Sequence, residues 1–157
     1  MSKNRPTIEA IQLSCRHVIE HMDKGLSENW AIRLLEQQTN MYGKFRSLGY
    51  VAPDRVDQYE LWSKAARKAM RATPKGKTGQ FLRVEHGTPK RAFAREVLAE
   101  YKKSNKLTEE WMDQHCELKW KVAVITHEED ARLRKLGVRS KAYPTPEERW
   151  AAAGIEF

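Results

Sequence analysis

The sequence predicts a mostly α-helical protein with a small two-stranded sheet, an α+β fold that opens with a helical hairpin. Apolar residues recur at helical spacing through most of the 157 residues, and glycines, prolines and hydroxyl side chains separate the periodic segments. Only residues 81–86 and 120–125 combine β-branched and aromatic side chains over a short length, as strands do. We expect residues 1–157 to form a single domain, since a chain of this length can bury one sizeable core.

The predicted helical part covers residues 1–72 and starts with the hairpin. Apolar positions between residues 8 and 23 follow the helical period, and Gly25 ends that first helix. Ser27 is a suitable N-cap for a longer second helix, which Gly49 ends. The apolar stripe that we expect this second helix to turn toward the core consists of Trp30, Leu34, Met41, Phe45 and Leu48.

A third helix is predicted over residues 57–71, after a break at Pro53 and Asp54. One side of this helix is apolar, and residues 73–79 follow it as a basic loop. The other side carries four cations, which are Lys64, Arg67, Lys68 and Arg71.

Residues 80–137 are predicted to follow the order β-α-α-β-α, and residues 138–157 to form a tail with one short helix. The first strand ends at His86, and the second strand leads directly into the helix that Gly137 ends. The connection of two helices is long enough for either parallel or antiparallel pairing of the strands. Each helix after the first strand starts at a hydroxyl side chain that can cap it, and these caps are Thr88, Thr108, Thr126 and Thr145.

Composition sets the environment that we expect for the protein. Cys15 and Cys116 are the two cysteines, and neither has the spacing of a metal-binding pair. No apolar run reaches the length of a membrane span, and no apolar signal core follows the N-terminus. We therefore expect a soluble cytoplasmic protein with reduced thiols and no membrane partner.

The net charge of +8 is concentrated in one part of the chain. Residues 63–106 hold thirteen Lys and Arg but three acids, a net charge of +10, whereas the rest of the chain carries −2. A concentrated excess is typical of a surface that binds a polyanion, although it is also compatible with a solvated face. The residues that we predict to bind nucleic acid are Lys64, Arg67, Lys68, Arg71, Lys75, Lys77, Lys90 and Arg91.

The stretch VEHGTPKR, residues 84–91, is the strongest candidate for chemistry. It places Glu85 and His86 at the end of a strand and a helix N-terminus immediately after them. A histidine titrates near neutral pH, and the free N–H groups of a helix N-terminus favour an anion. We therefore predict Glu85 and His86 as a catalytic pair that acts on a phosphate. The alternative is an ordinary turn, in which His86 only forms hydrogen bonds and Glu85 pairs with a nearby arginine.

His127 ends the second strand in the same way. If the two strands are parallel, His86 and His127 lie at one edge and can share a metal ion or a phosphate with Glu85, Glu129 or Asp130. If they are antiparallel, the two histidines lie at opposite ends. The sequence leaves both arrangements open.

Residues 81–133 resemble HNH-type (ββα-metal) nucleases through the segments VEHGTP and VAVITHEEDARL. The resemblance implies that His86 is a general base or a metal ligand. It also implies that Glu85, His127 or Asp130 hold a divalent cation, Mg²⁺ or Zn²⁺, which stabilises the charge on the reacting phosphate.

Two further sequence features are a histidine-rich segment near residue 20 and two aromatic residues after residue 140. The segment HVIEH, residues 17–21, matches an inverted zinc-protease signature, but its histidines lie opposite the apolar stripe and we expect them to be exposed. Tyr143 and Trp150 follow several cations, and we expect them to be free to stack on bases or on a protein partner.

These observations predict a nucleic-acid-binding protein. It is either a small metal-dependent nuclease that hydrolyses phosphodiesters or a non-catalytic DNA- or RNA-binding regulator. The non-catalytic class includes a small inhibitor that docks on a nucleic-acid-handling complex. A third hypothesis is a protein-interaction module formed by residues 143–157.

Overall fold

A computed structural model describes residues 5–74, 77–137 and 143–157, so the predicted phosphate ligand Lys75 lies outside the described residues. In these ranges the chain forms eight α-helices and one two-stranded sheet, which confirms the predicted fold class. The helices are α1 (Ile8–Asp23), α2 (Glu28–Ala31), α3 (Arg33–Leu48), α4 (Lys64–Ala72), α5 (Lys90–Ser104), α6 (Glu109–Lys119), α7 (His127–Lys135) and α8 (Pro146–Ala152), and the strands are β1 (Leu82–His86) and β2 (Val122–Thr126).

The contacts divide the chain into two compact units, each built from two separate segments. The helical unit combines residues 1–52 with 90–118, and the sheet unit combines residues 53–89 with 119–157. This division differs from the boundaries near residues 72 and 80 that the sequence suggests. The reason is that α5 packs on α3, so the two helices that connect the strands belong with the N-terminal helices.

The helical unit contains the predicted hairpin, but its second arm presents a different face from the one expected. The arm breaks at Ile32 into α2 and α3, and Trp30 and Leu34 are 64% and 56% exposed. The face that α3 buries instead includes Thr39 and Tyr42. Their hydroxyls are satisfied internally, because Thr39 donates to the Leu35 carbonyl at 2.8 Å and Tyr42 donates to the carboxylate of Asp113 at 2.8 Å. The predicted apolar stripe is therefore wrong at Trp30 and Leu34, whereas its other three members, Met41, Phe45 and Leu48, are half-buried. By contrast, α5 buries the apolar residues that recur along it at helical spacing, namely Phe93, Ala94, Val97, Leu98 and Tyr101.

The sheet unit is organised around antiparallel pairing of β1 with β2, in which Leu82 lies opposite Thr126 and His86 opposite Val122. An extended segment, residues 59–63, lies along the other side of β2. The Val124 N–H donates to the Leu61 carbonyl at 2.8 Å, and the Ser63 N–H donates to the Val124 carbonyl at 3.0 Å. These bonds protect an edge of the small sheet. The helix predicted over residues 57–71 is therefore wrong in its first half.

Ser63 fixes the start of α4 on the sheet unit. Its buried hydroxyl accepts a hydrogen bond from the Ala66 N–H at 3.0 Å and donates to Glu129 Oε2 at 2.7 Å. Glu129 also accepts from the Thr126 N–H, and it thereby completes the capping box of α7. One carboxylate thus ties the first turns of α4 and α7 together.

Thr108, Thr126 and Thr145 cap α6, α7 and α8 as predicted, since each hydroxyl accepts from the N–H three residues later. The helix α5 begins at Lys90, two residues beyond the predicted cap Thr88. The histidines of the HVIEH segment are exposed on α1.

The C-terminal segment belongs to the core of the sheet unit. Trp150 and Ile155 are 1% and 4% exposed and pack with Ala123, Ile125 and Leu133. The expectation that Trp150 is free for stacking is therefore wrong, and Tyr143 is also partly buried against this cluster. Residues 143–157 are thus part of the fold of the sheet unit, and their role in binding a protein partner stays a prediction. Among the described helices, none combines the length and the apolar character that crossing a membrane requires.

We predict that Ser63→Ala lowers the free energy of unfolding by about 0.5–2 kcal/mol, because it removes the N-cap of α4 and leaves a buried Glu129 oxygen without its hydroxyl donor. Ser47→Ala, on the exposed surface of α3, is the matched control and is expected to leave stability unchanged or slightly higher. Urea unfolding measures both. Equal midpoints for the two variants would contradict the role of Ser63.

Candidate nucleic-acid interface

The antiparallel ladder places His86 and His127 at opposite ends. His86 lies opposite Val122, whereas the His127 N–H donates to the Phe81 carbonyl, one residue beyond the other end of β1. The metal site predicted for parallel strands, with ligands His127 and Asp130 beside Glu85 and His86, is therefore not formed. Asp130 instead pairs with two arginines of the sheet unit, Arg83 at 3.4 Å and Arg134 at 3.1 Å. Within the ranges that the structure describes, no three or more His, Cys, Asp or Glu side chains are grouped to hold a metal ion.

Glu85 accepts a hydrogen bond from the buried Arg149. The side chain of Arg149 is 1% exposed, and its Nη1 donates to Glu85 Oε1 at 2.7 Å, to the His86 carbonyl at 3.2 Å and to the Gly87 carbonyl at 3.5 Å. A buried guanidinium needs such partners because its desolvation is costly. The alternative in which Glu85 pairs with a nearby arginine is thus confirmed, and the catalytic role of Glu85 stays a prediction.

His86 is oriented by a carboxylate. Its Nε2 lies 3.2 Å from Asp54 Oδ2, and Tyr59 donates to the other oxygen of Asp54 at 2.7 Å. The imidazole also meets the Trp120 ring edge-on, with 5.7 Å between the ring centroids. The His86 side chain is 12% exposed. A carboxylate that holds a histidine in this way occurs in general bases as well as in structural networks.

Gly87 brings the end of β1 close under α8. A Cβ atom at this position would lie 2.3 Å from the Pro146 Cβ and 2.9 Å from the Trp150 ring. The Gly87 N–H donates to the Lys121 carbonyl at 2.7 Å, and this bond continues the ladder by one residue. The Glu85-His86 corner is therefore packed from several sides.

The exposed side of α4 carries a group of four cations, which we call the α4 basic face. Its members Lys64, Arg67, Lys68 and Arg71 line a shallow concavity of about 530 Å³ together with Ala72. Lys64 pairs with Glu156 at 3.0 Å. Arg67, Lys68 and Arg71 have no carboxylate within ion-pair distance in the part of the chain that the structure describes. The face therefore presents positive charge directly to solvent.

The other predicted cations have different environments. Lys77 is exposed in the sheet unit, whereas Lys90 and Arg91 belong to the helical unit, where Arg91 donates to Glu36 at 3.2 Å. Arg95, next along α5, pairs with Glu28 at 2.5 Å. Acids of α2 and α3 thus neutralise part of the positive charge of residues 63–106. The exposed surface is therefore less positive than the net charge of +10 suggests.

A second concavity, which we call the α4–α7 groove, lies beside the α4 basic face. Its volume is about 370 Å³, and Lys68 lines both concavities. Phe81, 49% exposed, contributes the largest side chain of the groove. Its other lining residues are Ala65, Ala69, Ala72, Thr126, His127 and Glu128. Phe81 was not among the predicted site residues, because in the sequence it is only the first position of a predicted strand.

Neither cysteine contributes reactive chemistry. Burial raises the pKa of Cys15 and of Cys116 to about 12, so both thiols are protonated at neutral pH. This agrees with the expectation of reduced, structural thiols.

No protein-family model, curated protein or solved structure matches this chain. The resemblance to HNH-type nucleases stays a prediction, and function is inferred from the side chains of the two units.

We predict that Arg149→Met lowers the free energy of unfolding by about 3–5 kcal/mol, since it leaves Glu85 and two main-chain carbonyls without their buried donor. Arg132→Met is the matched control. Arg132 also donates to main-chain carbonyls, those of Ala153 and Gly154, but it is 47% exposed. Arg132→Met is therefore expected to lower the free energy of unfolding by about 1 kcal/mol or less. Urea or thermal unfolding compares the two variants. Similar losses of unfolding free energy would contradict the stabilising role of the buried hydrogen bonds of Arg149.

Proposed function

We propose that this protein binds nucleic acid through the α4 basic face. The observation that supports the proposal is the grouping of four exposed cations around one open concavity, three of them without an acidic partner among the described residues. Phosphate groups of a nucleic-acid backbone are contacted mainly by arginine and lysine in this kind of setting. The face is therefore suited to a polyanion rather than to a neutral ligand.

The spacing of the cations favours a polymer over a single anion. Lys64, Lys68 and Arg71 follow one another at intervals of three or four residues, and Arg67 lies beside Lys68. Such intervals repeat about every 5.4 Å along a helix. A row of charges can contact successive phosphates, whereas one free anion would use only part of it.

The separation of His86 from His127 favours the non-catalytic form of the proposal. Such a protein is a DNA- or RNA-binding regulator, or a small inhibitor that docks on a nucleic-acid-handling complex. The affinity then resides in the α4 basic face, and Glu85 and His86 shape the turn after β1.

We expect binding to weaken steeply with salt. With three or four phosphate contacts, counterion release lowers the association constant about 40- to 150-fold for a fourfold rise in salt concentration. The double variant Arg67→Glu/Lys68→Glu is expected to reduce the slope of log K against log salt by about two. Fluorescence anisotropy with labelled DNA and RNA oligonucleotides measures both quantities.

The matched control is Lys102→Glu/Lys103→Glu, which changes the net charge by the same amount on exposed positions of α5 in the helical unit. We expect this control to retain the salt slope of the unmodified protein. Equal losses in the two double variants would mean that affinity follows net charge, and the assignment to the α4 basic face would then fail.

Phosphodiester hydrolysis is the second candidate function, and the Asp54–His86 pair favours it. In this scheme His86 accepts a proton from a water molecule, whose oxygen forms the new bond to phosphorus. The bond between phosphorus and the sugar oxygen breaks, and the leaving sugar oxygen takes up a proton from solvent water. Asp54 holds the imidazole and stabilises its protonated form. No step is assigned to a metal ion, because the predicted ligands do not lie together.

If the second function holds, His86→Gln abolishes cleavage of labelled DNA or RNA while the affinity for the same oligonucleotides is retained. Tyr50→Phe, at an exposed position of the helical unit, serves as the control and leaves cleavage unchanged. Assays with Mg²⁺, Mn²⁺, Zn²⁺ and EDTA cover the metal requirement that the resemblance implies. Absence of any cleavage by the unmodified protein, or full activity of the His86 variant, would eliminate this candidate.

A further inference from the structure

We propose that the α4–α7 groove receives an unpaired base, so that the protein binds single-stranded nucleic acid in preference to a duplex. This inference rests on the proposed function, since the same strand is held by the α4 basic face. It adds a substrate class to that function.

The register of the sheet places two rings at the groove. The ladder that pairs Leu82 with Thr126 continues by one residue, which brings Phe81 opposite His127. The His127 N–H donates to the Phe81 carbonyl at 3.0 Å, so the backbone fixes this pair. Both side chains line the groove, and Phe81 is 49% exposed despite its size. An exposed aromatic ring held by a rigid backbone is a suitable stacking surface for a base.

The α4 side of the groove leaves room for a flat ligand. Besides Lys68, α4 contributes three alanines to the lining, Ala65, Ala69 and Ala72, whose side chains are short. The volume of about 370 Å³ lies at the lower end of the range found for small-molecule sites. A mostly apolar cleft of this size accommodates an aromatic ring system better than a hydrated phosphate.

Charge distribution orients a nucleotide chain between the two concavities. Lys68 lines both of them, so a phosphate on the α4 basic face and a base in the groove can belong to neighbouring nucleotides. Glu128 lies in the groove and is exposed. Its carboxylate repels phosphate and can accept hydrogen bonds from the N–H groups of a base edge. The sugar-phosphate backbone of the nucleic acid is therefore directed to α4, and the base is directed to the groove.

A duplex does not offer such a base. Its bases are stacked on one another and paired along their edges, so insertion of one base requires unstacking. Bases of a single strand are free to stack on aromatic side chains. The groove consequently favours single strands, while the α4 basic face alone does not discriminate.

The test compares three fluorescein-labelled probes of about 20 nucleotides by anisotropy: a single strand, its duplex and an abasic strand that keeps the sugar-phosphate chain. Phe81→Ala is expected to weaken single-strand binding about 5- to 150-fold, the range for loss of one stacked base. Duplex and abasic binding should not change. Phe81→Tyr retains a ring and should retain single-strand affinity, whereas Phe81→Leu retains apolar volume and should lose it.

Trp30→Ala is the matched control. Trp30 is an aromatic residue of the helical unit that is 64% exposed, so its removal tests whether any exposed ring would serve. We expect this variant to bind all three probes as the unmodified protein does. Circular dichroism checks that each variant is folded.

The outcomes separate this inference from the proposed function. Salt-dependent binding that Phe81→Ala leaves unchanged, or weakens equally for all probes, overturns the single-strand proposal and leaves the α4 basic face in place. Absence of binding to every probe at low salt removes the proposed function itself. If the Phe81→Leu variant binds single strands normally, the groove holds an apolar group without stacking, as it would on a protein partner, and the inference is wrong.

Discussion

The antiparallel pairing of β1 with β2 is the constraint on which the rest of the sheet unit depends. Its register sets which side chains meet at each end of the ladder. At one end His86 lies among Asp54, Trp120 and the turn at Gly87. At the other end Phe81 lies opposite His127 beside α4. A parallel pairing of the same strands would have brought the two histidines together, and the chemistry inferred for the protein would have been different.

The cations near the two ends of the ladder also differ in how far they are exposed to solvent. At the His86 end, Arg149 is withdrawn from solvent and its hydrogen bonds are satisfied by Glu85 and main-chain carbonyls. On the α4 basic face, Arg67 and Lys68 remain open to solvent. A buried and compensated cation stabilises structure, whereas an exposed and uncompensated one is available to a partner. Exposure to solvent therefore distinguishes the α4 basic face from the structural cations more clearly than the amount of charge does.

Much of the fold could be predicted from local patterns. The limits of α1 and the caps of α6, α7 and α8 follow from short-range chemistry, and so does the buried face of α5. The strand direction could not be predicted, since a connection of two helices permits either pairing. The face of α3 was missed because Thr39 and Tyr42 are polar by composition yet satisfied internally. The extended segment at residues 59–63 was missed because its hydrogen-bond partners on β2 are distant in sequence.

The candidate site could be predicted only in part, because some of its residues are close in sequence and others are not. The α4 cations could be found from the charge of a contiguous segment, and their common face follows from helical spacing. The partners of Glu85 and His86, namely Arg149 and Asp54, are separated from them by 64 and 32 positions, and no local pattern indicates such pairs. The position of Phe81 beside α4 could not be predicted either, because it depends on the register of the two strands.

The insertion of α5 and α6 between the strands has a consequence for how the sheet is maintained. Thirty-five residues separate His86 from Val122, although the two residues lie opposite each other. As a flexible tether of that length, the insertion would oppose closure of the ladder by on the order of 3 kcal/mol of chain entropy. Folded against α3, it is no longer a free tether, and much of that entropy is lost when the helical unit forms. Folding of the helical unit thus lowers the chain entropy that opposes closure of the ladder, although this unit contributes no strand to the sheet. Destabilising the core of the helical unit is therefore expected to weaken the pairing of β1 with β2.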